Sequence, residues 1–355
     1  MLLDGIHVPL TTPFYPDGRV YLRKLEHNVR RCSLTPVNGL IALGSVSEAE
    51  SLNDEERLQV LRVVGAEAAK EKVLFAGLHG AGVHSALQQA DAAAKLGFDA
   101  VLLGVPLAYA QTFWHEGDAT PELLTYFEAI ADGASLPVVL VSEAGARALP
   151  LAVVARLSAH PNVIGLLEQS AHFGRVAAIA EATAEVRRTV TVTTTFTAAT
   201  GRMVRLPVPA AAVGGTFVSA ASLGGGVALA TAPPVAVLKT RTKEVGFQVL
   251  WGSAAGCVEA LRAGAVGLAP ALAAAVPEAA FEIWAAWKDG DESLMQGKQA
   301  RLAHAEQGIA SHDIAAIKAG AELSGYFGGR PRLPLLAPAA ARQAEIVDWL
   351  DGMRS

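Results

Sequence analysis

Cysteine and clustered positive charge are both scarce in this sequence. The 355 residues include two cysteines, Cys32 and Cys257, which lie far apart and match no metal-ligand spacing. They predict buried free thiols in a reducing compartment, and neither a disulfide framework nor a zinc site. No block of basic residues is present, and the formal net charge is −5. These absences argue against a nucleic-acid partner, and no motif in the chain predicts a metal or an organic cofactor.

Charge is missing altogether from one long segment. Residues 206–238 contain no charged side chain, and this length exceeds the roughly 20 residues that cross a bilayer as a helix. Four prolines and several glycines interrupt the segment, whereas a spanning helix must satisfy all of its own backbone hydrogen bonds. We therefore predict that it does not enter a membrane. The first residues lack a cationic stretch followed by an apolar stretch, so we expect no signal peptide and a cytoplasmic location.

What the sequence does contain is a repeated alternation of short apolar runs and longer amphipathic runs. Near-continuous apolar runs are typical of parallel strands buried on both faces. The predicted strands are residues 7–11, 39–43, 73–77, 100–104, 137–141, 163–167, 247–251 and 266–269. Helical runs separate them, and the one after Asn53 opens with a capping residue and acidic side chains in its first turn. Eight such strands predict an α/β fold, a (β/α)₈ TIM barrel.

The alternation is interrupted before the seventh strand. The interruption contains two β-prone runs, at 189–197 and 216–219. An unstructured loop of this length would be unusual in a compact domain, so we predict an inserted β-rich arm at about 187–246. The arm lies in a helix-to-strand connection, which places it at the pole of the barrel away from the active site. We expect a barrel over 1–277 and a C-terminal helical segment over 278–355.

Four runs resemble one family of barrel enzymes in their order and spacing. They are Gly5–Phe14 followed by Asp17-Gly18, Gly44–Glu48 with the sequence Gly-Ser-Val-Ser-Glu, His160–Glu168, and Ile317–Leu335. Together they are similar to the dihydrodipicolinate synthase / N-acetylneuraminate lyase family over almost the whole chain except the inserted arm. The resemblance implies lyase or aldolase chemistry on a 2-oxo acid or sugar acid, and a homo-oligomer, either a dimer or a tetramer. Resemblance of fold does not by itself establish function.

The residue that carries the family's chemistry is missing. The family uses a lysine on the sixth strand, which must be desolvated to act as a nucleophile and form an imine with the 2-oxo acid. The resemblance places Leu167 at this position, and leucine has no nucleophilic group. Lys95, Lys239, Lys243 and Lys318 are predicted to be solvated, because exposure is usual for lysine. The family's covalent mechanism therefore cannot operate from position 167.

Other positions of the family's site are also altered. Val141 or Ser142 occupies the place of a proton-relaying tyrosine, and Arg147 is either a carboxylate-binding arginine or an ordinary surface arginine. Ser45 keeps one hydroxyl of a carboxylate-binding turn, whereas Val46 loses the other. The predicted substrate-binding candidates are Ser45, Val46, His79, Tyr109, Ser142 and Arg147.

A metal site is the last arrangement to consider. His79, Glu143 and Glu168 all follow strands at the pole where barrel enzymes bind their substrates. However, neighbouring strand residues point to opposite sides, so a lumen-facing Leu167 turns Glu168 towards the helices. We therefore expect no metal site.

Two classes of function remain open. One is lyase or aldolase chemistry without an imine, and the other is a catalytically inactive homologue that binds a small molecule or serves as an assembly module. An open polar lumen around Ser45, Ser142 and Arg147 would favour a ligand site. A lumen filled by Leu167, Val141 and Leu107 would favour the inactive alternative.

Overall fold

The computed structural model describes residues 1–80, 82–110, 120–170, 172–204, 238–310 and 313–353. The strands are β1 (Gly5–Pro9), β2 (Gly39–Ala42), β3 (Val73–Gly77), β4 (Ala100–Gly104), β5 (Val138–Ser142), β6 (Val163–Glu168), β7 (Arg188–Thr193), β8 (Thr240–Val245), β9 (Gln248–Trp251) and β10 (Gly267–Leu268). All but β7 and β8 form a closed parallel barrel, in the order β1-β10-β9-β6-β5-β4-β3-β2. The predicted (β/α)₈ barrel is confirmed.

The helices are α1 (Leu22–Leu34), α2 (Asp54–Glu67), α3 (Val83–Lys95), α4 (Leu107–Ala110), α5 (Thr120–Gly133), α6 (Leu151–Ser158), α7 (Gly174–Ala182), α8 (Gly201–Val204), α9 (Cys257–Arg262), α10 (Pro277–Asp289), α11 (Glu292–Gly308), α12 (Ile314–Leu323) and α13 (Ala340–Trp349). The predicted start of α2 is confirmed in detail, since Asn53 and Glu56 each accept a hydrogen bond from the other's backbone N–H. None of the helices in the described ranges is long and apolar enough to span a membrane.

The barrel strands separate two apolar regions. Alternate strand residues, such as Leu166 of β6, pack outwards against the helices. The intervening residues, such as Leu167, pack inside the barrel with Phe75 and Leu250. This alternation follows from the two-residue period of a strand, and it fixes which side chains can reach the lumen.

The predicted inserted arm is built on an antiparallel hairpin of β7 and β8, in which Arg188 pairs with Val245. The Arg188 guanidinium donates to the carbonyl oxygens of Ser158, His160 and Pro161, which precede β6. Further along the arm, Arg202 donates to the carbonyls of Ala68 and Lys72, before β3. The described part of the arm therefore lies at the N-terminal pole, as the sequence predicts.

Two features of the sequence stay as predictions. The β-prone run at 216–219 lies outside the described residues. The division into a barrel over 1–277 and a helical segment over 278–355 is not tested by the fold, although α10 to α13 follow the last barrel strand.

Candidate functional site

A cavity of about 430 Å³ opens at the C-terminal ends of the barrel strands. Its floor is apolar and is formed by Pro9, Ile41, Leu102, Val141, Leu167 and Ala269. Its rim is polar and includes Ser45, Glu48, Glu50, His79, Glu143, Arg147, Gln169 and Arg332. Substrates of (β/α)₈ enzymes bind at this pole, so the cavity is the candidate functional site.

Leu167 lies on the floor of this cavity and is 4% exposed. It pairs with Val141 on one side and Leu250 on the other. All nine lysines of the chain fall within the described residues, and none of them lines the cavity. The cavity therefore offers no amine from which an imine with a 2-oxo acid could form.

Lys318 corrects one sequence-based prediction, because it is fully buried and not solvated. Its Nζ donates to the carbonyls of Thr12 and Arg330 and to Glu48 Oε1, which lies 2.7 Å away. These three bonds use all three protons of the ammonium group. Burial lowers the pKa of Lys318, and the Glu48 carboxylate opposes this effect. Because Glu48 lines the cavity and Lys318 does not, this lysine holds a rim residue in place from outside the cavity. Lys95 and Lys239 are exposed, as predicted.

Ser142 was a candidate for substrate binding, but it does not line the cavity. It is fully buried, and its hydroxyl oxygen accepts hydrogen bonds from Leu149 N–H and from Arg175. The physical reason is strand alternation: Val141 faces the lumen, so Ser142 faces the helices. Val141 is thus the residue of this pair that stands at the cavity.

Glu168 also faces the helix layer, as predicted. It is fully buried, and its carboxylate accepts a hydrogen bond from Arg175 Nε at 2.9 Å and another from Ser170 N–H. The Arg175 guanidinium therefore links β5 and β6 on their outer side. This arrangement separates Glu168 from His79 and Glu143, so these three residues do not form the metal site considered above.

Of the two candidate residues in the turn after β2, one lines the cavity and the other does not. Ser45 is exposed and lines the cavity, whereas Val46 is fully buried in the outer core and does not. Ser47 closes the turn by donating its hydroxyl to the Gly44 carbonyl at 2.7 Å. Glu48 adopts the left-handed conformation with φ of 57°, which is uncommon for a residue with a side chain. Its contacts with Lys318 and Arg332 N–H explain why that conformation is kept.

His79 lies on the rim between two acceptors. Its Nε2 is 2.6 Å from the Leu43 carbonyl oxygen, and its Nδ1 is 3.1 Å from Glu50 Oε1. The bond from His79 holds the pKa of Glu50 below its usual value. His79 therefore ties the strand end of β3 to the turn after β2.

Arg147 and Glu143 form an ion pair at the edge of the cavity. Arg147 Nη2 lies 2.9 Å from Glu143 Oε1, and each side chain is 32% exposed. Arg147 Nε also donates to the Val105 carbonyl at 3.1 Å. Burial raises the pKa of Glu143, although the positive charges of Arg147 and His79 oppose this rise. Sequence reasoning identified Arg147 but missed its pairing with Glu143, for which the spacing of four residues in the loop after β5 was the available signal.

Tyr109 belongs to the short helix α4. Its side chain and that of Leu107 lie outside the described residues, so the positions of both in relation to the cavity stay predictions.

Comparison of the sequence with known proteins identifies a family. The model of the dihydrodipicolinate synthetase family matches residues 2–201. A 4-hydroxy-tetrahydrodipicolinate synthase from Xanthomonas campestris is 33% identical over 181 residues, which are 50% of this chain and 58% of that protein. The enzyme of the same name from Acidiphilium cryptum is 24% identical over 355 residues, with 99% of each chain covered. The first relative is thus matched over little more than half of its length.

Solved structures agree on the fold. Dihydrodipicolinate synthase DapA-2 from Bacillus anthracis superposes with a TM-score of 0.75, 18% identity and full coverage of both chains. YagE from Escherichia coli K12, solved in complex with pyruvate, gives a TM-score of 0.75 at 19% identity, with 99% of each chain covered. Dihydrodipicolinate synthase from Acinetobacter baumannii, also complexed with pyruvate, gives 0.73 at 21% identity, with 98% of each chain covered.

Proposed function

Because the chain belongs to the dihydrodipicolinate synthetase family, we propose that its barrel cavity binds a small organic acid without forming an imine. The observation that carries this proposal is Leu167, which occupies the cavity floor while no lysine lines the cavity. An imine requires an uncharged amine in contact with the 2-oxo acid. A ligand in this cavity is therefore held by non-covalent contacts alone.

The cavity has the properties of a ligand site. Its volume of about 430 Å³ falls within the ~300–1,000 Å³ typical of small-molecule pockets. The Ser45 hydroxyl and the Arg147 guanidinium stand on its rim, and both are groups that bind carboxylates. Two relatives of the same fold are described in complex with pyruvate, which supports a small organic acid as the ligand class.

The proposal is tested by trapping and by binding. The protein is incubated with pyruvate and borohydride, and its intact mass is measured. We expect no stoichiometric mass increase, and an adduct on any lysine would show that imine chemistry persists. In parallel, calorimetric titration with a panel of small organic acids is expected to detect binding that Arg147→Gln weakens at least tenfold.

A second candidate function is proton transfer on the bound acid, of the lyase or aldolase type, without an imine. Glu143 favours this candidate because it lines the cavity and burial raises its pKa, as suits a general acid or base near neutral pH. The test is proton magnetic resonance of 2-oxo acids in heavy water. Loss of the signals from the carbon beside the ketone, faster with wild type than with Glu143→Gln, would support catalysis. Proton exchange at the same rate as without protein would contradict catalysis and leave ligand binding as the proposed function.

We also propose that the protein forms a homo-oligomer, either a dimer or a tetramer, and that it is located in the cytoplasm. The family resemblance supports the assembly. Sedimentation at micromolar concentration measures it, and a single species of 36.7 kDa would contradict it.

A further inference from the structure

Each basic side chain that lines the cavity, within the described residues, is already close to a carboxylate. His79 contacts Glu50, Arg332 contacts Glu56, and Arg147 contacts Glu143. A ligand carboxylate that binds one of these side chains competes with its internal carboxylate, because both seek the same donors.

Arg332 is committed to the structure of the rim. Its guanidinium donates to both oxygens of Glu56 and to the carbonyls of Gly18 and Ser51, and it lies over the Phe14 ring. Moving it to a ligand would leave several acceptors without a donor, which is costly for buried groups. Arg332 is therefore unsuited to exchange its partner.

His79 is similarly fixed between Leu43 and Glu50. Arg147 differs from both residues. One backbone bond, to Val105, holds its Nε in place, and its terminal nitrogen faces Glu143, which stands four residues earlier in the same loop. A carboxylate arriving from the cavity can replace Glu143 on that nitrogen without disturbing the bond to Val105.

The surroundings of Arg147 are apolar. A Cβ placed on Gly104 would lie 3.5 Å from Val141 Cβ and 3.7 Å from Arg147 Nη2, so the guanidinium adjoins the apolar wall. Leu167 pairs with Val141 on that wall. Further apolar residues of the lining include Leu78, Ile314, Leu333, Pro334 and Leu335. Hydroxyl groups of a sugar acid would lose their water against these surfaces without finding partners, whereas hydrocarbon would gain from burial.

We infer that the cavity takes a monocarboxylic acid with an aliphatic or aromatic body, and that the ligand's carboxylate replaces Glu143 on Arg147. The inference rests on the proposed function, namely that the cavity binds an organic acid. It narrows that function to a ligand with one anionic end and an apolar remainder, and it gives Glu143 the role of an internal competitor.

Replacement of Glu143 by the ligand carboxylate predicts that ligand binding is coupled to uptake of a proton. Without Arg147 beside it, the Glu143 carboxylate remains partly buried and faces His79 and the negative Glu50. Burial already raises the pKa of Glu143, and loss of the arginine contact raises it further. The higher pKa of Glu143 favours uptake of a proton from solvent as the ligand anion enters. Charge is balanced, since one anion and one proton enter together, and affinity therefore falls as pH rises.

The experiment uses the full chain and four named probes in calorimetric titrations. They are 4-methylpentanoate, phenylacetate, gluconate and the neutral amide 4-methylpentanamide. Each buried methylene strengthens binding by roughly fourfold, so we expect the first two acids to bind at least tenfold more tightly than gluconate. The amide should bind at least tenfold more weakly than its acid. Titrations at pH 7 in phosphate and in Tris, which differ in ionisation enthalpy, should show uptake of up to one proton per ligand.

Three variants separate the roles of the pair. Glu143→Gln removes the competitor, so 4-methylpentanoate should bind severalfold more tightly and without proton uptake. Arg147→Gln should lose at least tenfold in affinity. Glu128→Gln is the matched control, because Glu128 contacts Arg156 between α5 and α6, away from the cavity lining. Its affinity and proton uptake should equal those of wild type. Thermal melts of each variant establish that it is folded.

The outcomes distinguish the inference from the proposed function. Binding of acids with no preference for an apolar body, or with equal proton uptake in wild type and Glu143→Gln, would overturn the inference and leave organic-acid binding intact. Pyruvate is titrated beside these probes, and failure of it and of all three carboxylate probes to bind would overturn the proposed function and the inference with it.

Discussion

Lys318 Nζ lies 2.7 Å from Glu48 Oε1, and these two side chains are 0% and 2% exposed. The pair joins α12 to the turn after β2, across 270 residues of sequence. The other oxygen of Glu48 accepts the Arg332 backbone N–H at 2.7 Å. A single buried carboxylate thus ties the C-terminal segment to the rim of the cavity.

The first prediction removes the ammonium group of this pair. Lys318→Met should lower the free energy of unfolding by ~3–5 kcal/mol, because it leaves a carboxylate buried without its cation. Urea unfolding measures the change. Lys288→Met is the control: its Nζ is 3.3 Å from Asp4 and the side chain is 54% exposed, so a loss below about 1 kcal/mol is expected. Equal losses for both variants would contradict the importance of the buried pair.

The second prediction concerns stability at acidic pH. His7 is fully buried, its Nε2 contacts the Leu3 carbonyl at 2.8 Å, and its Nδ1 has no partner among the described residues. Burial lowers the pKa of His7 from 6.5 to about 4. Between these two values the unfolded chain binds more protons than the folded chain, so stability falls as pH falls. The contribution of this histidine amounts to about 3 kcal/mol over that window.

Substitution isolates this contribution from that of other groups. His7→Gln keeps a donor for Leu3 and removes the titrating ring, so its stability should decrease less than that of wild type between pH 7 and pH 4. His84→Gln, at an exposed position of α3, is the control and should follow wild type. Urea midpoints at the two pH values give the comparison. Parallel pH profiles for His7→Gln and wild type would contradict the assignment.

The third prediction restores an amine at the cavity floor. Leu167→Lys places a lysine where a leucine is 4% exposed, so it should cost ~2–4 kcal/mol of stability. Burial should also lower the pKa of the new lysine, which favours imine formation. We expect weak trapping of pyruvate by borohydride but no efficient turnover, because no tyrosine stands at Val141 or Ser142.

Leu167→Met is the matched control for that variant, since a swap of similar volume usually costs less than about 1.5 kcal/mol, and it should trap nothing. Thermal melts and intact mass are recorded for both variants. An unchanged melting temperature together with no adduct for Leu167→Lys would mean that residue 167 does not face the lumen.

The sequence predicted the fold far better than it predicted the site. Near-continuous apolar runs located every barrel strand, and the interruption before the seventh located the β7–β8 hairpin. These features depend on local sequence patterns, which can be recognised in consecutive residues. The orientation of Val141 and Ser142 depends on one residue of register, and the family resemblance left that register open.

Contacts between distant segments of the chain were the second feature that the sequence did not predict. Lys318 resembles a surface lysine in its helix, and its burial follows only from its approach to Glu48 and Thr12. Glu143 was considered as a metal ligand, whereas its geometry is that of an ion pair with Arg147. Neither arrangement has a sequence signature strong enough to outweigh the usual exposure of charged side chains.

The fourth prediction separates the two poles of the barrel by deleting residues 189–244. Arg188 and Val245 pair directly across the hairpin, so a two-residue Asn-Gly turn can join them. No described residue of the arm lines the cavity, and ligand affinity should therefore stay within about threefold of wild type.

Stability and assembly should suffer instead. The deletion removes Val190 and Val192, which pack on Leu2, and the Arg202 guanidinium that donates to Ala68 and Lys72. Those carbonyls then lack a partner, and we expect a loss of about 1–3 kcal/mol from this cause. Arg202→Gln in the full chain should reproduce much of that loss without changing the proposed assembly, because the rest of the arm remains. Sedimentation and urea unfolding of both variants measure the two effects. An arm-deleted protein that stayed assembled but lost its ligand would place the arm at the wrong pole, since strand-to-helix loops carry function in these barrels and helix-to-strand loops carry stability.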